Sequence, residues 1–214
     1  MFTGIVEEKG RIKELNQTNQ ALVMKIHGPK VTEDISIGDS ISVNGVCLTA
    51  TDFGQDWFSV DVIPETFRAS SLARLTVHSE VNLERAMHAN GRFGGHFVSG
   101  HVDAVGTIEK TWTEDNAKYI EISAPETRYM TLKGSVAVDG TSLTVFGVTD
   151  HSFTISLIPE TQEATVLGQK QTGDIVNMEY DMLAKYMERL LQADDHESNN
   201  AGMTAEKLRE NGFG

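Results

Sequence analysis

One feature limits this chain of 214 residues more than any other: it contains the same unit twice. A shift of 95 positions lays SISVNGVCLTA, from Ser40, on SVAVDGTSLTV, from Ser135, and VIPET, from Val62, on LIPET, from Leu157, without a gap. Ser40 to Leu72 against Ser135 to Leu167 gives 12 identities in 33 pairs, where average residue usage gives about two by chance. Upstream the shift becomes 96, so that Gly4, Val6, Gly10 and Ile12 meet Gly100, Val102, Gly106 and Ile108. A fold built from two copies of a small domain follows, and single-core architectures of this length drop out.

Within each copy the pattern is that of strands. Ser40 to Thr51 and Trp57 to Ile63 are short, rich in Val, Ile, Thr and aromatics, and parted by the turn residues FGQD. Ile41 and Val43 alternate with Ser42 and Asn44, as do Ile155 and Leu157 with Thr154 and Ser156. Such spacing predicts a closed antiparallel β-barrel per copy. It also predicts one helix after each PET motif, from FRASSLARL in the first copy and more weakly from QEATVLGQ in the second. Beyond Asp181 the repeat stops. There Leu183, Tyr186, Met187, Leu190 and Leu191 make an apolar stripe on an amphipathic helix over MLAKYMERLLQ. It suits packing on a barrel of the same chain and packing on the same helix in other subunits equally well. The tail from Ala193 to Met203 is expected to be loose, with a last short helix over Thr204 to Asn211 stopped by Gly212.

Charge and composition narrow the function. Thirty-one Asp and Glu against eighteen Lys and Arg leave a net charge of −13, which opposes binding to a phosphate backbone, so nucleic acid is not an expected partner. No apolar run is long enough to cross a bilayer, and MFTGIVEEKGRIKEL is not a secretory signal, so a cytoplasmic, membrane-free protein is expected. The single cysteine, Cys47, excludes an intrachain disulfide.

Each copy carries a polar cluster at the same place: Asn44, Gly45, Cys47 and Thr49, then Asp139, Gly140, Ser142 and Thr144. Residues two apart on a strand share a face, so Cys47 with Thr49, and Ser142 with Thr144, each line one surface. The PET motifs, Pro64 to Thr66 and Pro159 to Thr161, set a carboxylate and a hydroxyl at the end of the next strand. Turn chemistry explains such a cluster as well as a polar pocket does. The differences between copies are more telling, since Asn44 becomes Asp139, Cys47 becomes Ser142 and Asp61 becomes Ser156. Two related but unequal pockets suit two copies of one ligand in distinct roles.

Other chemistry is weakly signalled. His101 and Asp103 form an H-x-D pair without a third ligand at metal spacing, and a regular strand would turn His96 to the other face. GRFGGH has no Lys-Ser/Thr after its glycines and reads as the joint between copies. No serine-nucleophile motif is present.

MFTGIVEEKGRI, NGVCLTAT, GGHFVSGHVD and DGTSLTV, in this order, together with the two PET motifs, resemble the riboflavin synthase family from Met1 to about Ser198, and LRENGFG suits it too. The resemblance implies two six-stranded antiparallel Greek-key barrels, residues 1–96 and 97–187, with 188–214 as helix end and tail making the contacts of a homotrimer. It implies conversion of two 6,7-dimethyl-8-ribityllumazine molecules into riboflavin and 5-amino-6-(D-ribitylamino)uracil, with transfer of a four-carbon unit and no cofactor or metal. The barrel of one subunit would face the unlike barrel of a neighbour.

Residue by residue, it places one lumazine on Gly4, Ile5 and Val6, on Cys47, Leu48 and Thr49, and on Asp61, Val62, Ile63, Pro64, Glu65 and Thr66. Gly100, His101 and Val102 would close that site. The other lumazine would lie on Lys133, on Ser142, Leu143 and Thr144, and on Ile158, Pro159, Glu160, Thr161, Gln162 and Glu163. His101 is the candidate for proton transfer, the role that imidazole side chains most often take in general acid–base chemistry. Phe2, Ser40, Cys47, Asp139, Ser142 and Asp181 match family positions that position or activate substrate. The competing class is a non-catalytic antenna protein that binds one lumazine or flavin. The intact second cluster, with Lys133 and LIPET, favours the enzyme. A flavoprotein-reductase barrel would need a nucleotide-binding α/β domain for which this length has no room.

Overall fold

The computed structural model describes residues 1–17, 22–201, 209, 211 and 212. The first copy holds β1 (Glu8–Gln17), β2 (Leu22–His27), β3 (Ser40–Val43), β4 (Val46–Phe53), β5 (Trp57–Val62), α1 (Pro64–Ala69) and β6 (Glu80–Arg85). The second repeats it with β7 (Ala104–Glu114), β8 (Ala117–Ser123), β9 (Ser135–Val138), β10 (Thr141–Val148), β11 (Ser152–Leu157), α2 (Pro159–Ala164) and β12 (Ile175–Tyr180). Each set closes into a barrel, in the order β1-β2-β5-β4-β3-β6 and, equivalently, β7-β8-β11-β10-β9-β12. All neighbouring pairs are antiparallel. The expected fold, two six-stranded barrels followed by a helix, is the one observed.

Alternation builds the barrels. On β2 and β8 every second side chain is buried, and the inward residues, among them Ile12, Met24, Ile26 and Phe58 in one barrel and Ile108, Ile120, Ile122 and Phe153 in the other, form two separate cores. The register slips at matching points in both copies, between Ile12 and Glu14 and between Ala50 and Asp52, then between Ile108 and Lys110 and between Val145 and Gly147. Such bulges bend a strand and let a small sheet close on itself.

The helices differ from the sequence expectation in one respect. Both α1 and α2 have six residues and start at the proline of their PET motif, so the second is no weaker than the first. Proline at the first helical position is pre-set for the turn. Ser70 Oγ then donates to the Thr66 carbonyl and Thr165 Oγ1 to the Thr161 carbonyl, both at 2.7 Å. The chain returns to an extended conformation at Ser70 and Thr165, so the remainder of FRASSLARL forms a separate 3-10 turn, Ser71–Arg74.

The two barrels are joined about a local twofold axis. Phe2 and Val98, equivalent residues, pair as an antiparallel bridge and with Ala137 form a small core of their own, against which Cys47 packs. Asn82 Nδ2 donates to the Asp139 carbonyl at 2.8 Å, and its counterpart Asn177 Nδ2 donates to the Asn44 carbonyl at 2.7 Å. The amides of Ser71 and Val166 answer by donating to Asn177 Oδ1 and Asn82 Oδ1. Gly45 and Gly140, with φ of 81° and 76°, meet so closely that a Cβ on either would stand 2.7 Å from the other's amide nitrogen. Only glycine combines that φ with that approach.

A separate unit follows Asp181. Its helix α3 (Met182–Ala201) crosses residue 187 and continues beyond Ala193, where a loose tail was expected. No Pro or Gly interrupts the run before Gly202. Leu183, Tyr186, Met187, Leu190 and Leu191 are all exposed along it. Gly202 and Met203, and all of the helix expected over Thr204–Asn211 except Arg209 and Asn211, lie outside the described residues.

Candidate active site

The first polar cluster opens on a cleft of about 350 Å³ lined by Cys47, Ile63, Glu65, Thr66, Gly100, His101 and Val102, with Val46, Ala69 and Ser70. Strand β4 supplies Cys47 on its outward face, and Thr49 follows on the same face, exposed. Leu48 and Val62 turn inward to the barrel core, so only their backbone is available to a ligand. Proline at the start of α1 brings Glu65 and Thr66 to the rim. The remaining wall comes from the second copy, because the segment Ser99–Gly100–His101 crosses over before β7 begins. The Cys47 amide donates to the Gly100 carbonyl at 2.8 Å, and Gly100, with φ of 83°, lies so near that a Cβ would stand 2.5 Å from Cys47 Cβ.

A buried carboxylate holds this crossing segment in place. Glu179 on β12 accepts from the Ser99 amide and hydroxyl on one oxygen, both at 2.7 Å, and from the Gly100 amide on the other at 2.9 Å. Glu84 on β6 does the same for the amino-terminal arm. It accepts from the Thr3 amide at 2.7 Å and hydroxyl at 2.8 Å, and from the Gly4 amide at 3.0 Å. Burial pushes the Glu84 carboxyl above its ordinary value, while the three donors pull it back. Since every partner donates, the ionised carboxylate is the form that satisfies them all.

The arm so fixed leads to the second polar cluster. Gly4, with φ of 76°, takes the Ser142 amide on its carbonyl at 2.7 Å, and a Cβ there would stand 2.6 Å from Ser142 Cβ. Gly4 therefore belongs with the Ser142 cluster and not, as the sequence grouping had it, with Cys47. The two arms are exchanged: the first copy's arm walls the second copy's cluster, and the reverse.

Around Ser142 the chemistry changes. His96 Nδ1 lies 2.7 Å from Ser142 Oγ, and its Nε2 is buried without a partner. Burial drives the imidazole below its usual pKa against the opposing pull of Asp181 and then Glu179. Neutral at working pH, it can accept the serine hydroxyl's proton or hold it in a hydrogen bond. Strand alternation would turn His96 to the other face, but between Gly95 and Asp103 the chain is not a regular strand. Leu143 turns into the barrel core, while Thr144 is exposed beside Ser142's face. Ile158, Pro159 and Glu160 are exposed at the rim, with Thr161 and Gln162 half-buried and Glu163 exposed. Gln162 Nε2 is occupied by the Leu157 and Asn116 carbonyls.

Lys133 has a φ of 64° where the first copy has Gly38 at 96°. Both amides close the same turn, onto Val145 and Ala50 respectively. The lysine thus takes a backbone conformation that its twin leaves to glycine.

The remaining sequence candidates fall elsewhere. Phe2 is wholly buried in the seam between barrels, where it supports Cys47 and Gly100 from behind. Ser40 lines a different cleft of about 130 Å³, with Asp34, Arg85 and His88. Asp61 is exposed on β5, and Ile5 and Ile63 are largely exposed. Asp103 accepts the Tyr180 amide at 2.8 Å. Asp139 is fully buried, takes the Asn177 amide at 2.8 Å and lies 3.3 Å from Lys170 Nζ. Burial raises its pKa and Lys170 opposes this. Among the described residues no three His, Cys, Asp or Glu side chains are grouped to hold a metal ion.

With this geometry in hand, comparison with known proteins is decisive. The lumazine binding domain family matches twice, over residues 3–86 and 99–181. Riboflavin synthase of Bacillus subtilis (strain 168) is 49% identical over 215 residues, with all of both chains covered. The chain belongs to the riboflavin synthase family. Riboflavin synthases of Actinobacillus pleuropneumoniae and Schizosaccharomyces pombe are 44% and 41% identical, the latter over 90% of this chain and 95% of its own. Among solved structures, LumP complexed with 6,7-dimethyl-8-(1'-D-ribityl) lumazine superposes with a TM-score of 0.76 at 24% identity, covering 84% of this chain and 98% of LumP. LumP complexed with riboflavin gives 0.78 at the same identity. At that identity the likeness concerns the fold. This riboflavin synthase thus presents two equivalent polar clusters, one with Cys47 and His101, the other with Ser142 and His96.

Proposed function

We propose that this riboflavin synthase binds one 6,7-dimethyl-8-ribityllumazine at each cluster and moves a four-carbon unit from one to the other, giving riboflavin and 5-amino-6-(D-ribitylamino)uracil. The observation that carries the reading is the unequal pair of polar clusters. Identical ligands call for similar walls, here PET motifs and glycine arms in both copies. A donor and an acceptor call for different polar groups, here Cys47 against Ser142 and His101 against its counterpart Ile5. Two substrates and two products balance in atoms, so no oxidant, reductant or cofactor is required.

The steps to be served are loss of a proton from the C7 methyl of one lumazine and nucleophilic addition at C7 of the other. His101, at the mouth of the Cys47 cleft, is assigned the proton transfer. The His96–Ser142 pair is assigned to activate a hydroxyl at the second site. Lys133, Thr144 and the Ile158–Glu163 rim hold that lumazine together with Gly4–Val6, while Thr49 and Asp61–Thr66 hold the first. Holding two dilute reactants face to face is worth about 7 to 11 kcal/mol when orientation is good.

For the two bound lumazines to meet, pockets of different subunits must face each other. The working assembly is a homotrimer in the cytoplasm, with 1–96 and 97–187 as lumazine-binding units and 188–214 making trimer contacts. The exposed stripe from Leu183 to Leu191 supports it. The test is to add 6,7-dimethyl-8-ribityllumazine to purified protein in metal-free buffer and follow riboflavin by absorbance and chromatography. One riboflavin per two lumazines consumed is expected. Tight binding without product would make the chain an antenna protein and overturn the reading.

A further inference from the structure

On the seam between the barrels lies a cleft of about 600 Å³, apart from Cys47 and Ser142. Its walls are equivalent segments of the two copies, Ser71 to Glu80 and Val166 to Ile175, with Arg11 and Asn44 completing it. In a protein of net charge −13 this place collects Arg11, Arg74, His78 and Lys170.

The acidic groups facing the cleft, Glu80 and Asp174, are already engaged. Glu80 accepts from Arg11 at 3.2 Å and from Gln169 at 3.1 Å, and Asp174 takes the Gln171 amide at 2.8 Å. Lys170 donates to the Ile175 carbonyl at 2.6 Å and lies against Asp139. Arg74 has no carboxylate partner among the described residues. Ser71, 96% buried, also lines the cleft, and its hydroxyl has no partner.

Comparison of the copies adds an independent argument. His78 has a φ of 76° where the second copy places Gly173 at 93°, so an imidazole is kept at the rim in a conformation that favours glycine. Opposite it, Leu75 and Leu22 of the first copy are replaced by Lys170 and Lys118 in the second. Lys118 is spent on structure, donating to the carbonyls of Leu167, Gly168 and Lys170, and so fixes the loop that presents Gln169 and Lys170.

We infer that the seam cleft binds a small organic phosphate monoester, gripped by Arg74 and His78, at a site separate from the lumazine pockets. Guanidinium and imidazole N–H donors match phosphate oxygens, and the volume lies in the range of small-molecule sites. The whole protein is titrated calorimetrically with inorganic phosphate and with ribose 5-phosphate, against chloride at equal ionic strength. Saturable binding is expected for both, tighter for the ester, with affinity falling about tenfold in Arg74→Ala. His78→Gly should bind more weakly while melting at or above the wild-type temperature, which separates ligand contact from folding. Arg74→Ala should form riboflavin at the wild-type rate. Heats matched by chloride, or affinities unchanged in both variants, would overturn the site. Binding of inorganic phosphate alone would overturn the ester, and loss of turnover in Arg74→Ala would overturn its separateness.

Discussion

Replacing Glu179 with Gln tests the exchanged-arm architecture at its anchor. The carboxylate satisfies three donors, the Ser99 amide and hydroxyl on one oxygen and the Gly100 amide on the other. An amide has one accepting oxygen, so whichever way it turns, its NH2 group faces a backbone N–H. One charge-assisted hydrogen bond is lost and a buried donor is left unpaired, a cost of about 3 kcal/mol. For a chain of this size that lowers the melting temperature by about 6 to 12 °C. The effect must also reach chemistry, because Gly100 carries the carbonyl that holds Cys47 and precedes His101. A displacement of about 1 Å at a reacting group can cost about a hundredfold, so kcat should fall by about ten- to a hundredfold in steady-state riboflavin formation. Glu84→Gln, acting through Gly4 on Ser142, should behave alike. Wild-type melting in both variants, or lost stability with unchanged kcat, would refute the latch.

Three further outcomes are expected. His96 titrates below its ordinary 6.5 when folded, so the unfolded chain protonates first and stability falls as pH drops below about 6.5; His96→Gln should flatten that slope in melts between about pH 7 and 5. Gly45→Ala should cost about 2 kcal/mol or more, since φ is 81° and the Cβ meets the Gly140 amide, whereas Gly38→Ala, at φ of 96° with open space around it, should cost about 1 kcal/mol in denaturant melts. A chain ending at Asp181 should sediment as a monomer with little turnover, and an active monomer would remove the case for helix-mediated assembly.

The fold was legible because duplication, alternation and turn spacing are local signals repeated in two places. Gly4 with Gly100, and Cys47 with Ser142, could be matched as equivalents from the 95- and 96-residue shifts. Which equivalent touches which could not. Contact between Gly4 and Ser142 spans 138 positions and depends on how one barrel docks on the other, and no period within a copy records that. The same gap hid the roles of Glu84 and Glu179, which read as polar residues of ordinary strands. His96 was lost to a rule applied outside its range, since alternation holds for strands and the linker is not one.

The twofold seam explains why asymmetry could accumulate without unfolding the protein. Phe2 with Val98, Asn82 with Asn177, Glu84 with Glu179 and Gly45 with Gly140 keep the joint nearly symmetric. Each is buried and engaged with its partner copy or arm, so a change in one copy would leave a donor or a cavity in the other. Among the divergent positions, Cys47 against Ser142, His101 against Ile5 and His78 against Gly173, the first-named of the first two pairs line the Cys47 cleft and His78 lines the seam cleft. Unlike polar groups at such positions, over a joint whose contacts stay paired, are what two unlike roles for one substrate require of a duplicated barrel.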